Sequence, residues 1–146
     1  MGMFGILDIS AAGMDVQQAR LEAAAANLAN AQTTGRAGAV YQPLTVIVHS
    51  ILGKHNGVAS SDSLSAESLP RPAVSGTAQL DVPPRLVYDP GHPDADARGF
   101  VTMPGVDPIS SMLDLISISR SYEANLRAFD VTRTLMQRTL DMGSHR

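Results

Sequence analysis

The chain has 146 residues, a formal net charge of −3 and an aromatic content of 4%, with no tryptophan and no cysteine. This length predicts one ordinary domain, and the lack of basic clusters argues against nucleic acid as a partner. The absence of cysteine excludes disulfides, thiolate chemistry and zinc sites with cysteine ligands.

The first twenty residues carry no segment typical of a cleaved signal peptide. They lack a basic start and the apolar run of about seven to fifteen residues that such a peptide needs. The rest of the chain has no apolar run long enough to predict a membrane-spanning helix.

Residues 5–33 are predicted to form a helix. Large apolar residues recur every seven positions along one side, which is the spacing of a coiled-coil seam. Thr33 and Thr34 have low helix propensity, and Gly35 can adopt the left-handed conformation that ends a helix. The seam positions are Leu7, Met14, Leu21 and Leu28.

Asn27 and Asn30 interrupt an alanine-rich stretch of this helix. Asparagine is a poor residue for a helix interior because its amide competes for backbone hydrogen bonds. In one interpretation both face solvent near the helix end. In the other they hydrogen-bond across a helix–helix contact and fix its register, with Tyr122, Glu123 and Asn125 as available partners.

Three strands are predicted in the middle of the chain. Residues 44–52 are β-branched and apolar, and shorter candidates lie within 80–91 and at 99–103. Residues 53–79 are rich in Ser, Gly, Ala and Pro and predict a long loop or a weak hairpin.

A second long helix is predicted from about residue 108 to 142. Asp107 can cap the free amides, and Pro108 suits the first helical position. Glu123 and Arg127 stand four apart in the favourable orientation for an exposed ion pair. Apolar side chains follow the 3-4 spacing of a coiled coil, with two gaps at Ser119 and Arg133. They are Met112, Leu115, Tyr122, Leu126, Phe129, Met136 and Leu140.

These elements predict a mainly α fold with a small β-rich middle. The long N- and C-terminal helices are expected to pair as an antiparallel coiled-coil-like hairpin. Residues 1–35 and 106–146 would form a terminal helical domain, and residues 36–105 a small β/loop outer domain. A second helix roughly 50 Å long exceeds the roughly 38 Å diameter of a globule of this size, so apolar stripes remain exposed for association.

Motifs for catalysis or metal binding are missing from the sequence. Asp94 and Asp96 begin like a calcium loop, but Arg98 and Gly105 stand where ligands belong. There is no nucleophile elbow, phosphate-binding glycine loop or dinucleotide fingerprint. We therefore predict no enzyme activity, no cofactor, no metal and no small-molecule substrate. The scattered histidines are His49, His55, His92 and His145.

Two segments at opposite ends of the chain resemble the signatures of flagellar rod and hook proteins. The first is FGILDISAAGMDVQQARLEAAAANLANAQTTG, and the second is ADARGFVTMPGVDPISSMLDLISISRSYEANLRAFDVTRTLMQRTL. The resemblance covers residues 4–35 and 86–140, whereas the middle is not diagnostic. The short length, the opening LDIS and the segment LVYDPGHPDADARGFV point to a proximal-rod member of that family.

The resemblance implies a structural subunit of the proximal rod in the bacterial flagellar basal body. Such proteins are exported unfolded through the flagellar type III apparatus, without a cleaved signal, and assemble in the periplasmic space. Their terminal helices pair and pack with those of neighbours into a helical tube by self-association. The implied partners are the other proximal-rod proteins, the adaptor at the rod base and the distal rod.

The predicted subunit-packing residues combine signature positions of both helices with apolar positions beside them. A contact between copies that does not close into a ring builds a helical filament, and a filament needs a fixed register. The residues are Leu21, Asn27, Leu28, Asn30, Arg120, Tyr122, Glu123, Asn125, Leu126 and Phe129.

Three residues depart from the pattern that the resemblance leads us to expect. Arg36 stands in place of an aromatic residue, and Gly105 replaces a common asparagine. Ser111 replaces a glutamate, which removes a negative charge from the first turn of the second helix.

Two other classes of function are compatible with parts of the sequence. The heptads alone also fit a soluble coiled-coil adaptor or secretion chaperone, which would form a defined oligomer in solution. A small metal-dependent hydrolase would have to use His49, His92 and Asp94.

Overall fold

The structure is a computed structural model that describes residues 3–35, 40–51 and 70–144. Two long helices stand at the ends of the described chain, with four strands between them. This order confirms a mainly helical protein with a small β region in the middle. The elements are α1 (Met3–Asn30), β1 (Leu44–Ile51), β2 (Arg71–Gln79), β3 (Arg85–Tyr88), β4 (Phe100–Met103) and α2 (Pro108–Ser144).

The strands form two separate two-stranded sheets, β1 with β2 and β3 with β4. In the second sheet the strands run antiparallel, and Val87 of β3 pairs with Val101 of β4. In the first sheet, the N–H of Leu80, just after β2, donates to the carbonyl of Pro43, just before β1. Since the end of β2 lies beside the start of β1, these two strands are also antiparallel.

Residues 53–79 are predicted to form a long loop or a weak hairpin, and the loop alternative is wrong for the last part, because 71–79 form the strand β2. The sequence of this strand, RPAVSGTAQ, contains Pro72 and Gly76 and has little β propensity by itself. Pairing with the strongly β-forming β1 overrides that local preference. Residues 53–69 lie outside the described residues, as does Leu52, the last residue of the first predicted strand.

The end of α1 also differs from the prediction, because the helix stops at Asn30 and not at residue 33. The N–H groups of Ala31 and Thr33 donate to the carbonyls of Leu28 and Asn30 and form a closing turn. Gly35 does not end the helix. Its N–H donates to the carbonyl of Thr102 at 3.2 Å, so it belongs to the β region.

The start of α2 follows the prediction. The Asp107 carboxylate accepts hydrogen bonds from the N–H groups of Ile109, at 3.2 Å, and Ser110, at 3.3 Å, and from the Ser110 hydroxyl at 2.7 Å. These bonds satisfy amides that have no partner within the helix. They favour the charged carboxylate, the Ser110 hydroxyl most of all, and thereby lower the pKa of Asp107.

The loop 89–99 joins β3 to β4 and ends in a turn, where the Gly99 N–H donates to the Asp96 carbonyl at 2.9 Å. Gly99 has a φ of 81°, a value that side chains with a Cβ rarely adopt. An added Cβ would come within 3.0 Å of the Tyr88 ring. The Asp96 carboxylate accepts hydrogen bonds from the N–H groups of Phe100 and Arg98, which lower the pKa of Asp96. This turn therefore depends on glycine and on an ionised aspartate.

The described chain divides into two compact units, each of which takes part of both long helices. The first contains residues 3–19, 48–51, 70–75 and 119–144, and the second contains 20–35, 40–47 and 76–118. Val16 is buried in the first unit, and Ala23, Ala31, Val101 and Val106 are buried in the second. No helix of the described residues has both the length and the apolar character needed to cross a membrane.

Candidate functional site

The main candidate for a functional surface is α2, which exposes apolar side chains along its whole length. No residue in 108–143 is buried. Large apolar side chains that are more than half exposed lie at both ends of the helix and in its middle. They are Ile109, Met112, Leu113, Ile116, Val131, Leu135, Leu140 and Met142.

The less exposed side of α2 follows the predicted coiled-coil spacing only in part. Leu115, Phe129 and Met136 are half-buried, as predicted for one face, whereas Tyr122 and Leu126 remain exposed. Asn125 lies on the half-buried side and contacts α1, because a Cβ added to Gly13 would come 3.0 Å from the Asn125 amide nitrogen. The absence of a side chain at Gly13 thus makes room for an amide of the other helix.

The heptad positions of α1 are not its most buried positions. Leu7, Met14 and Leu28 are half-buried and Leu21 is 37% exposed. The buried apolar residues of α1 stand two positions further along, which is about 200° around the helix at 3.6 residues per turn. They are Val16 and Ala23. The seam predicted from the sequence is therefore half-buried or exposed, and the most buried apolar residues of α1 lie nearly opposite it.

The Asn27 side chain forms hydrogen bonds to the start of β1. Its amide nitrogen donates to the Leu44 carbonyl at 2.8 Å, and its amide oxygen accepts from the Leu44 N–H at 2.7 Å. The Tyr41 hydroxyl donates to the same oxygen at 2.9 Å, and burial raises the pKa of Tyr41. The interpretation that Asn27 bonds to the other helix is therefore corrected: within the chain, its amide satisfies the backbone of an incoming strand.

Asn30 makes a local contact. Its amide nitrogen donates to the Ala26 carbonyl of the same helix at 2.8 Å. Its own carbonyl accepts from the Thr33 hydroxyl at 2.7 Å. Asn30 thus helps to close the last turn of α1, and the structure places no α2 residue on its amide.

The chain just after α1 is held by the loop before β4. The Thr34 hydroxyl donates to the Asp94 carboxylate at 2.8 Å, one residue before the bridge from Gly35 to Thr102. Sequence reasoning considered Asp94 only as a metal or calcium ligand and missed this role. The partner is 60 residues away along the chain, so no local pattern could have revealed it.

The structure accounts for two of the three departures from the family pattern. A Cβ at Gly105 would lie 2.5 Å from the Pro83 carbonyl oxygen and 2.6 Å from a Val82 methyl, so a larger residue does not fit without movement. The Ser111 hydroxyl donates to the Asp107 carbonyl, while the Asp107 carboxylate supplies negative charge at this helix end. Arg36 lies outside the described residues.

Three charged residues in the middle of α2 lie on a more exposed side of that helix. Arg120, Glu123 and Arg127 are all exposed. An Arg127 guanidinium nitrogen lies 3.7 Å from a Glu123 carboxylate oxygen, which forms the predicted ion pair. An exposed pair of this type contributes little to folding, so both side chains remain available for other contacts.

The described residues contain no group of three or more His, Cys, Asp or Glu side chains that could hold a metal. His49 contacts the Ser75 hydroxyl, and the His92 ring accepts a hydrogen bond from the Asp94 N–H at 3.1 Å. The hydrolase hypothesis therefore finds no support in the described part of the chain. His55 and His145 lie outside it.

Two family models match the ends of the chain. Residues 7–35 match the family described as "Flagella basal body rod protein", and residues 97–142 match "Flagellar basal body rod FlgEFG protein C-terminal". The first match includes Asn27 and Asn30, and the second includes all of the predicted packing residues of α2.

Full-length relatives agree with these models. The chain is 35% identical over 145 residues to the flagellar basal-body rod protein FlgC of Aquifex aeolicus, with 97% of each chain covered. It is 34% identical to that of Salmonella typhimurium and 36% identical to that of Bacillus subtilis, with 98% of this chain and 99% of each relative covered. These relatives are structural proteins of the rod and not enzymes. The chain therefore belongs to the family of flagellar basal-body rod proteins FlgC.

Proposed function

We propose that this chain is a structural subunit of the proximal rod that assembles through α1 and α2. The observation that carries the proposal is the exposure of α2, a 37-residue helix with no buried residue in 108–143 and many open apolar side chains. Burying one large apolar side chain contributes about 1.5–3 kcal/mol. A neighbouring subunit that covers this helix would supply the burial that the single chain lacks.

The two helices would pair antiparallel within each subunit and pack against those of neighbours in a helical tube. The contact between Gly13 and Asn125 supports such pairing, since it brings the middle of each helix together. In this arrangement residues 1–35 and 106–146 act as the terminal helical domain, and residues 36–105 form the outer domain. An open series of equivalent contacts generates a filament.

The predicted subunit-packing residues keep that role as part of the proposal. Leu28 and Phe129 are half-buried, and Leu21, Tyr122 and Leu126 are exposed, so neighbours can cover them further. The proposal extends to export by the flagellar type III apparatus and to assembly in the periplasmic space. Its partners are the other proximal-rod proteins, the adaptor at the rod base and the distal rod.

Deletion of the gene tests the proposed function most directly. We expect cells without it to lose swimming and to yield basal bodies without a complete rod in electron micrographs, and a plasmid copy should restore both. Complete rods in the deletion strain, with no second copy of the gene in the genome, would exclude the rod assignment.

Charged substitutions at half-buried apolar positions test assembly through the helices. Leu28→Asp and Phe129→Asp should prevent rod formation while the chain is still exported, because an unpaired charge is strongly disfavoured at a packed apolar site. Thr77→Asp, at an exposed position of β2, is the matched control and should leave rods intact. Normal swimming of both helix variants would contradict packing at these positions.

A further inference from the structure

An open groove lies between the first half of α1 and the first sheet. Its volume is about 530 Å³. The α1 side presents Asp8, Ala11, Ala12 and Asp15, and the opposite side includes Arg71 and the start of β2. We call this the α1–β2 groove.

The charged groups of the groove are unpaired within the described residues. Asp8, Asp15 and Arg71 are exposed, and none forms a hydrogen bond or ion pair with another described side chain. The residues between the two aspartates include two alanines, whose small side chains allow another backbone to approach closely. The groove therefore combines small apolar side chains with two carboxylates and one guanidinium that have no partner among the described residues.

The two carboxylates have a defined separation along α1. Asp8 and Asp15 stand seven residues apart, which is about 10.5 Å at 1.5 Å per residue, and nearly two full turns keep them on one side of the helix. A partner that satisfies both must carry two positive charges at the same separation. A second helix with basic residues seven positions apart meets this requirement whether it runs parallel or antiparallel to α1.

The chain itself carries this pattern on the exposed side of α2. Arg120 and Arg127 are seven residues apart, and Glu123 lies between them on the same face. Arg120 has no ion pair among the described residues, and the pair of Arg127 with Glu123 is exposed and weak. Ile116 and Val131, both more than half exposed, flank this charged face at its two ends.

We propose that the α1–β2 groove of one subunit binds the Arg120–Glu123–Arg127 face of α2 from a second copy of this chain. This inference rests on the proposed rod function and names one surface and its occupant. The two arginines pair with Asp8 and Asp15, and Glu123 complements Arg71. The same chain's α2 does not fill the groove, because its Asn125 side meets Gly13 while Arg120 and Arg127 make no ion pair with Asp8 or Asp15.

Charge reversal tests the complementarity of the two surfaces. Asp8→Arg with Asp15→Arg, or Arg120→Asp with Arg127→Asp, should each reduce the number of rods per cell by about tenfold or more, because like charges then face each other. All four substitutions in one chain should restore rods. Gln79→Arg with Asp81→Arg adds positive charge at exposed positions outside the groove and should leave rod numbers unchanged.

Disulfide cross-linking tests the contact itself, and the absence of native cysteine gives each variant a single thiol. Ala11→Cys in the groove and an affinity-tagged Ala124→Cys on α2 are co-expressed in the deletion strain. Basal bodies are then isolated and treated with a mild oxidant. We expect a disulfide-linked pair that contains one chain of each kind. Ala25→Cys, exposed on α1 outside the groove, replaces Ala11→Cys in the control and should give little product.

The outcomes separate this inference from the proposed function. If both cysteine variants enter basal bodies and no mixed disulfide forms, the second copy does not occupy the groove and the inference is wrong, although the rod function stands. Normal rod numbers in the Asp8→Arg, Asp15→Arg variant would likewise contradict the charge pairing. So would a failure of the chain with all four substitutions to restore rods. Complete rods in the deletion strain would instead remove the function on which the inference rests.

Discussion

The two long helices of this protein meet the rest of the chain in different ways. α1 has 28 residues, buries Val16 and Ala23, and holds the start of β1 through Asn27. α2 has 37 residues and a well-formed cap at Asp107, yet none of its residues in 108–143 is buried. A helix can thus be well defined by its own sequence while its apolar side chains stay exposed within the chain; in the proposed rod, neighbouring subunits would bury them.

The largest predicted effect is a difference in the free energy of unfolding between two variants, each with one valine replaced by aspartate, one in α1 and one in α2. Val16→Asp should lower the free energy of unfolding of the isolated chain by about 3 kcal/mol or more, because it buries an unpaired charge. Val131→Asp, at a position that is 60% exposed, should change it by less than about 0.5 kcal/mol. Denaturant unfolding of both purified variants measures the two effects.

The rod phenotype of the same variants completes the comparison. Val131→Asp should impair rod assembly even though the isolated chain keeps its stability, because in the proposed assembly a neighbouring subunit covers this apolar surface. A large loss of stability in this variant would mean that α2 is covered within the chain after all.

A smaller effect is expected at the two asparagines of α1. Asn27→Ala removes both partners of the Leu44 backbone and the acceptor of the Tyr41 hydroxyl, so it should destabilise the chain by about 1–3 kcal/mol. Asn30→Ala loses one bond to its own helix and gains helix propensity, so its effect should stay within about 0.5 kcal/mol. Thermal unfolding monitored by circular dichroism measures the stability of both variants. Equal losses of stability would show that the hydrogen bonds of Asn27 to Leu44 do not stabilise the chain appreciably.

The asparagines also show how far the sequence could predict this structure. The conflict between asparagine and an alanine-rich helix marked both positions as unusual, but it could not identify a partner 17 residues away. The same holds for Gly35, which pairs with Thr102 instead of ending the helix. In both cases the decisive contact is distant along the chain, and a local pattern carries no information about it.

Local signals were sufficient where the contacts are local. Asp107 and Pro108 predicted the start of α2 because the cap acts within three residues. The β-branched run predicted β1, whereas β2 could not be recognised because its strand conformation comes from pairing with β1. The α1–β2 groove was missed for the same reason, since its two sides are far apart in sequence.

The cap of α2 gives a prediction with a defined pH dependence. Its hydrogen bonds lower the pKa of Asp107 below the ordinary value of 3.8, so its stabilising effect is fully present above that value and is lost as pH falls through the folded pKa. Asp107→Asn should keep the cap and remove this part of the acid dependence, whereas Asp107→Ala should loosen the first turn at all pH values. Helix content of the purified variants, followed by circular dichroism from neutral to acidic pH, measures both.

The smallest effect is expected from the exposed ion pair of α2. Glu123→Gln removes the ion-pair partner of Arg127. Because the Glu123 side chain is 64% exposed and the Arg127 side chain 82% exposed, the free energy of unfolding should change by less than about 0.5 kcal/mol. Added salt should reduce even that difference, because solvent ions screen exposed charges. A change above about 1 kcal/mol at low salt would mean that this ion pair holds α2 within the chain far more strongly than its exposure indicates. α2 would then be stabilised within the single chain by its own charged side chains and would depend less on neighbouring subunits. The difference between α1 and α2 in how they are stabilised would be smaller than their burial indicates.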